Sequence, residues 1–287
     1  MNKLADSIDF FLNRSFGRTQ SMVNALERLQ SALLSRFGTD QRYLVNSIPK
    51  SGTHFIEKLL VNSGQLKKSG FFFSDIHHNR YPRDFSDYAS QLKLVAGRHF
   101  CGAHMPYSIS NNSVLAENNF RHILLIRHPA DVLVSQYHHC LQRPTNRVHH
   151  IISECRSFRE GIKVLLEGYR FPDTAEPKIP DLEPFVSYFD SFHGWLDQDI
   201  LLCRYEDLIA PPNDAGKSTH SVALKGLIET LAGEDVTAET LNAVYEKSYG
   251  KSNTFRSGKI GGWRESVNQE DEAFIDTNLL ELCTRFG

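Results

Sequence analysis

Short, almost unbroken apolar runs, separated by helix-patterned stretches, constrain this chain more than any other feature. Tyr43-Leu44-Val45-Asn46-Ser47-Ile48, Ile123-Leu124-Leu125-Ile126 and Ile200-Leu201-Leu202-Cys203-Arg204-Tyr205 read as buried strands. Leu94-Val95-Ala96 and Phe100-Cys101-Gly102-Ala103 read as pieces of a further strand region ending at His104. After the first run, Phe55, Ile56, Leu59 and Leu60 share one helix face. Before it, Met22, Ala25, Leu26, Leu29, Leu33 and Phe37 recur at three and four in a helix that Gly38 ends. A strand apolar on both sides must be covered on both sides. The alternation therefore predicts an α/β fold with a central parallel sheet flanked by helices. In such sheets ligands gather at the carboxyl ends of the strands, where Lys50, His104, Arg127 and Tyr205 fall.

The 287 residues suit a single domain. Residues 1–40 read as an N-terminal helical extension, residues 237–249 as a helix, and residues 268–286 as a closing helix. Residues 141–185, rich in proline and without a strong strand, read as an insertion of short helices and loops. Basic residues number 32 and acidic ones 34, a net charge of −2. No overall field draws the chain to nucleic acid or an anionic membrane, so any anion site must be local. The five cysteines are scattered, with no CxxC pair, which favours a reduced, cytoplasmic setting. No run approaches the ~18–20 apolar residues of a membrane span. The start lacks the basic-then-apolar pattern of a secretory signal. His138-His139-Cys140, His149-His150 and Cys155 match no zinc spacing, and no metal is expected.

Pro49-Lys50-Ser51-Gly52-Thr53 joins a strand to a helix through a tight turn. Turn amides and a helix N-terminus would cradle a phosphate, Lys50 would add charge, and Ser51 and Thr53 would add hydroxyls. The triphosphatase pattern GxxxxGK[ST] is absent, because Lys50 precedes Gly52 and no earlier glycine is in place. That disfavours Mg²⁺-dependent phosphoryl transfer.

This loop resembles the 5′-phosphosulfate loop of sulfotransferases that use 3′-phosphoadenosine 5′-phosphosulfate (PAPS). Leu125-Ile126-Arg127-His128-Pro129-Ala130-Asp131-Val132-Leu133-Val134-Ser135 is similar to the family's 3′-phosphate segment. Phe255-Arg256-Ser257-Gly258-Lys259-Ile260-Gly261-Gly262-Trp263-Arg264 resembles its loop that closes over the cofactor, here residues 255–265. The three motifs stand in the family's order. The resemblance implies a P-loop-like sulfotransferase fold, PAPS as donor and 3′,5′-ADP (PAP) as product. It implies catalytic roles for Lys50, His104 and Ser135. Cofactor contacts are implied for Lys50, Ser51, Gly52, Thr53, His54, Phe55, Arg127, Ser135, Tyr205, Ser248, Tyr249, Arg256, Ser257 and Gly258. Ala103-His104-Met105-Pro106 resembles the stretch that carries the family's general base. Residues 141–185 would then lie on the acceptor side.

The chain departs from the family pattern at Ser257, where a Lys is usual, at Gly262, where an Asp is usual, and at Gly102, where a Lys is frequent. The expected acceptor is a small molecule, a metabolite or natural product, carrying a hydroxyl or amine-type nitrogen. A homodimer is possible, and no nucleic-acid partner or membrane span is expected. Two alternatives stay open. One is a glycan sulfotransferase with Asp75 as a carboxylate base; the other is a non-catalytic protein that binds 3′,5′-ADP.

Overall fold

The structure, a computed structural model, describes residues 20–36, 40–74, 85–172, 181–209, 219–250 and 259–286. Five parallel strands form one sheet: β1 (Arg42–Ser47), β2 (Lys67–Ser74), β3 (His99–His104), β4 (Phe120–Ile126) and β5 (Ile200–Arg204). Their order is β2-β3-β1-β4-β5. The helices of nine residues or more are α1 (Gln20–Leu34), α2 (Thr53–Asn62), α3 (Ile109–Glu117), α4 (Pro129–Gln142), α5 (Phe158–Glu167), α6 (Thr219–Ala232), α7 (Ala238–Ser248) and α8 (Gln269–Phe286). Short helices fill 149–154 and 185–190, and Tyr205–Ile209 continues directly from β5.

Side chains along the central strands alternate between two cores. Tyr43, Val45, Ile123 and Leu125 pack with α2, α6 and α7 on one face, while Leu44, Leu124 and Ile126 pack with α4, α5 and α8 on the other. This double burial is why β1 and β4 read as continuous apolar runs. The chain leaves β1 toward β2 on one side and leaves β4 toward β5 on the other. The direction of winding thus reverses between β1 and β4, and a crevice opens at their carboxyl ends.

Two sequence expectations are corrected. Residues 94–96 are apolar but form a turn, with Val95 N–H donating to Leu92 and Ala96 N–H to Ser31 Oγ; β3 begins only at His99. The edge strand β2 was not foreseen. It opens on Lys67-Lys68-Ser69-Gly70, and its pairing with β3 breaks register between Lys68 and Phe72. The first helix runs from Gln20 to Leu34 and lies against this strand. Arg28 Nε donates to the Gly70 carbonyl at 2.8 Å, and Ser31 Oγ to the Leu94 carbonyl at 2.9 Å. Gly38, the expected stop, lies outside the described residues, as does residue 37.

His122, in the middle of β4, is buried against Trp195, with ring centroids 4.4 Å apart, and neither ring nitrogen has a hydrogen-bond partner among the described residues. Burial pushes its pKa down to about 3. Between pH 6.5 and 3 the unfolded chain binds a proton that the native ring refuses, so stability falls as pH falls. The loss from this residue is about 2 kcal/mol at pH 5. His122→Leu should therefore lose about 2 kcal/mol less than the parent when urea unfolding is compared at pH 7 and pH 5. Equal losses would show that the ring titrates as it does in water.

Candidate active site

The crevice between β1 and β4 is walled by the turn after β1 and by the start of α4. That turn is built from unusual backbone. Lys50 has φ 75°, and Gly52, the N-cap of α2, has φ 101°. A Cβ on Gly52 would sit 2.6 Å from the Tyr205 ring, so glycine is required here both for its backbone and for the room it leaves. Ser47 Oγ and Thr53 Oγ1 lie 2.6 Å apart and brace the turn from beneath. Ser51 is fully buried, and its hydroxyl has no partner among the described residues.

On the opposite wall, Pro129 occupies the first position of α4 and His128 caps it. The His128 N–H donates to Glu206 at 2.8 Å, which ties the ends of β4 and β5 together. The Arg127 guanidinium lies 4.4 Å over the Tyr205 ring, within cation–π range, and its Nε is buried without a partner among the described residues. Tyr205 therefore touches both walls. Asp131, Ser135 and His139 follow one another at four-residue spacing and share one face of α4. Burial, then the charges of Lys50 and Arg143, push His139 down to about 4.

His104 ends β3 and is fixed from behind. Asn46 makes two hydrogen bonds to the Met105 backbone, at 2.8 and 3.0 Å, and Trp195 Nε1 donates to the Met105 carbonyl at 3.0 Å. His104 Nδ1 lies 2.7 Å from the Ser47 carbonyl, an oxygen that can only accept, so Nδ1 carries the proton and Nε2 keeps its lone pair. Burial lowers the pKa to about 4; the Ser47 carbonyl and Glu57 act against that shift, and Lys50 adds to it. Lys50 and His104 lie near enough for the charge of one to act on the other.

Glycine at 102 has a reason in this fold. A Cβ there would meet the Phe72 ring at 2.6 Å and Glu57 Oε1 at 2.9 Å. Burial alone would raise the Glu57 pKa, but His54 at 3.5 Å and Lys68 at 2.9 Å hold it below its ordinary value. His54 itself is exposed and turned to this carboxylate. Phe55 is buried, edge-on to Tyr205, Tyr245 and Tyr249 at 6.0 to 6.2 Å, and Tyr245 and Tyr249 stack at 5.3 Å. Ser248 is committed within the helix pair: it donates to the Val244 carbonyl and accepts from Asn62. Arg256, Ser257, Gly258 and Asp75 lie outside the described residues.

A cavity of about 220 Å³ abuts Pro49 and His104. Val132, Val148, Leu165 and Phe185 supply apolar wall, and Gln136, Arg147 and Glu183 supply polar groups. Much of the lining comes from residues 146–185. Among the described residues, no group of three or more His, Cys, Asp or Glu could hold a metal ion, and no helix is long and apolar enough to cross a membrane.

Sequence reasoning missed Asp131, Tyr245 and the Glu57–Lys68 pair. Asp131 stood inside a quoted motif, four residues after Arg127, and that spacing was the available signal. Tyr245 stands four residues before Tyr249 on the same helix face.

No protein of curated function matches the chain by sequence. Among solved structures, mouse sulfotransferase SULT7A1 complexed with PAP superimposes with a TM-score of 0.57 at 17% identity, covering 89% of this chain and 88% of that one. Retinol dehydratase complexes with retinol and PAP, and with androsterone and PAP, align at 15% identity with TM-scores of 0.48 and 0.49. Each covers 89% of this chain, and 85% and 84% of its own. The sulfotransferase domain family matches residues 40–287, from just before β1 to the end of the chain. With its parallel sheet, its turn at Lys50 and Gly52, and this match over most of its length, the chain belongs to the sulfotransferase domain family.

Proposed function

We propose that the chain transfers a sulfuryl group from PAPS to a hydroxyl or amine-type nitrogen on a small molecule and releases 3′,5′-ADP. The observation that carries this reading is a pair of buried donors without partners among the described residues, Ser51 Oγ on the β1 side of the crevice and Arg127 Nε on the β4 side. Each unsatisfied buried donor costs about 1–3 kcal/mol. A ligand with two separated anionic groups would relieve both, and 3′,5′-ADP has that pattern.

PAPS, when bound, supplies a sulfuryl group activated by its anhydride bond to phosphate. The first-turn amides of α2, with Ser51, Thr53 and His54 nearby, would hold the 5′ side at the positive end of the helix. Arg127 offers a planar fork for the 3′-phosphate, and Ser135, two turns along α4, adds a hydroxyl. Arg256, Ser257 and Gly258 join this group on the motif alone. Phe55, Tyr205 and Tyr249 form the aromatic cluster suited to adenine, and Tyr245 extends it. Lys50 places a cation where negative charge develops as the leaving phosphate departs.

His104 serves as the general base. Its protonated Nδ1 is tied to Ser47, and its Nε2 can take the acceptor proton. A pKa near 4 keeps the ring neutral at pH 7, and an anion nearby would raise it toward the working pH. The cavity beside His104, walled in part by residues 146–185, would receive the acceptor, and its size suits a small molecule.

Lys50→Ala should lower turnover by about 10²–10³ and weaken 3′,5′-ADP binding far less, as read by steady-state rates and calorimetry. Near-normal turnover in the folded variant would remove Lys50 from the chemistry. His104→Ala should cost on the order of 10²–10⁴ in single-turnover rate with PAPS saturating, with 3′,5′-ADP affinity nearly intact. A larger loss in Asp75→Asn would instead assign the base to the carboxylate and favour a glycan acceptor. In the free protein the His104 imidazole should titrate near pH 4 by NMR. A midpoint near 6.5 would mean that burial does not set its charge.

A further inference from the structure

The RHPAD segment carries a carboxylate that the reading above leaves without a task. Asp131 is buried in the first turn of α4. Its Oδ2 accepts the Gly261 N–H at 2.9 Å, and its Oδ1 accepts the Trp263 N–H at 3.2 Å. The same Oδ1 lies 3.5 Å from Arg127 Nη2. Arg127 Nη2 in turn donates to the Lys259 carbonyl at 3.1 Å. Gly261 has φ 65°, which lets amides two residues apart turn toward one carboxylate. Trp263 is fully buried, so the strap 259–263 is anchored as well as hydrogen-bonded.

We propose that Asp131 is a positioning residue: it clasps the strap 259–263 against Arg127 and sets how long 3′,5′-ADP is held. The proposal rests on Arg127 being the 3′-phosphate residue. Three observations favour a clasp over an ordinary charge at a helix start. Both carboxylate oxygens are spent on strap amides, an ion pair fixes the carboxylate beside Arg127, and Arg127 itself bonds the strap. The strap cannot lift without breaking two charge-assisted hydrogen bonds and freeing the guanidinium. An asparagine fits the clasp poorly, since its oxygen can accept one N–H while its NH₂ faces the other donor.

The test begins without any nucleotide. Amide hydrogen exchange at Gly261 and Trp263 should be about 10- to 100-fold faster in Asp131→Asn than in the parent. Stopped-flow release of 3′,5′-ADP should quicken by a similar factor, and KM for PAPS should rise. The single-turnover chemical step should stay within about threefold of the parent, because the variant disturbs the hold and not the reacting atoms. A lower melting temperature with unchanged exchange at 261 and 263 and unchanged release would reduce Asp131 to a helix residue and overturn the proposal. Should Asp131→Asn fail to fold, Asp131→Glu keeps the charge and both acceptors one methylene further out. It should show the same pattern at smaller amplitude, and parental exchange and release there would equally overturn the clasp. Arg127→Ala separates the two claims: it should keep slow exchange at 263 yet lose the preference for 3′,5′-ADP over 5′-AMP. Retention of that preference would sink the Arg127 reading while leaving the clasp measured on its own.

Discussion

The turn from β1 into α2 sets the terms for the rest of the molecule. A non-glycine residue in the left-handed region costs about 1–2 kcal/mol, and Lys50 adopts it two residues before Gly52 does the same. Such a turn persists only where its surroundings over-determine it. Here Ser47 and Thr53 meet beneath it, and the Tyr205 ring fills the space that a Cβ at 52 would need. Because Tyr205 also carries the Arg127 guanidinium on its face, the geometry of one wall of the crevice is passed to the other through a single ring. The reversal of winding between β1 and β4 opens the crevice, and the turn and the ring give it shape.

Much of this was legible before any coordinates. β1 and β4 announced themselves because burial on both faces leaves no polar alternation to confuse the pattern; β5, an edge strand with Leu202 exposed, was legible from its apolar run alone. The positions of Lys50, His104 and Arg127 at strand ends were legible because β1, β3 and β4 end at or just before them; their roles rested on the resemblance. β2 was hidden for the opposite reason: it is an edge strand with a lysine pair, a left-handed glycine and a broken register, all features that propensity scores against. Residues 94–96 misled because Val95 and Ala96 are apolar and buried yet lie in a turn, one held by a hydrogen bond to Ser31 of α1, more than sixty residues away in sequence. Asp131 and the Glu57–Lys68 pair were missed because their meaning lies in what they face across the fold.

Charge is handled locally throughout. A chain with a net charge of −2 still sets Lys50 and Arg127 on the walls of one crevice, while His104 and His139 are depressed first by burial and less by the Lys50 charge. The family's frequent lysine near 102 is replaced by an arrangement in which Lys68, from the neighbouring strand, neutralises Glu57 while Phe72 lies edge-on to His104, centroids 4.9 Å apart. His104 is therefore flanked by an aromatic ring rather than by a second cation.

The kink in β2 also bears on how the molecule behaves in company. An outer strand with free amides and carbonyls is a template on which other chains can add. Here the register break falls at Gly70, whose carbonyl is already taken by Arg28, and a Cβ at that glycine would collide with the backbone of α1. A strand arriving in register would find the template interrupted in its middle and roofed by a helix. The helix at Gln20–Leu34 thus guards the β2 edge of the sheet against strand addition, a protection owed to geometry and independent of anything that happens in the crevice.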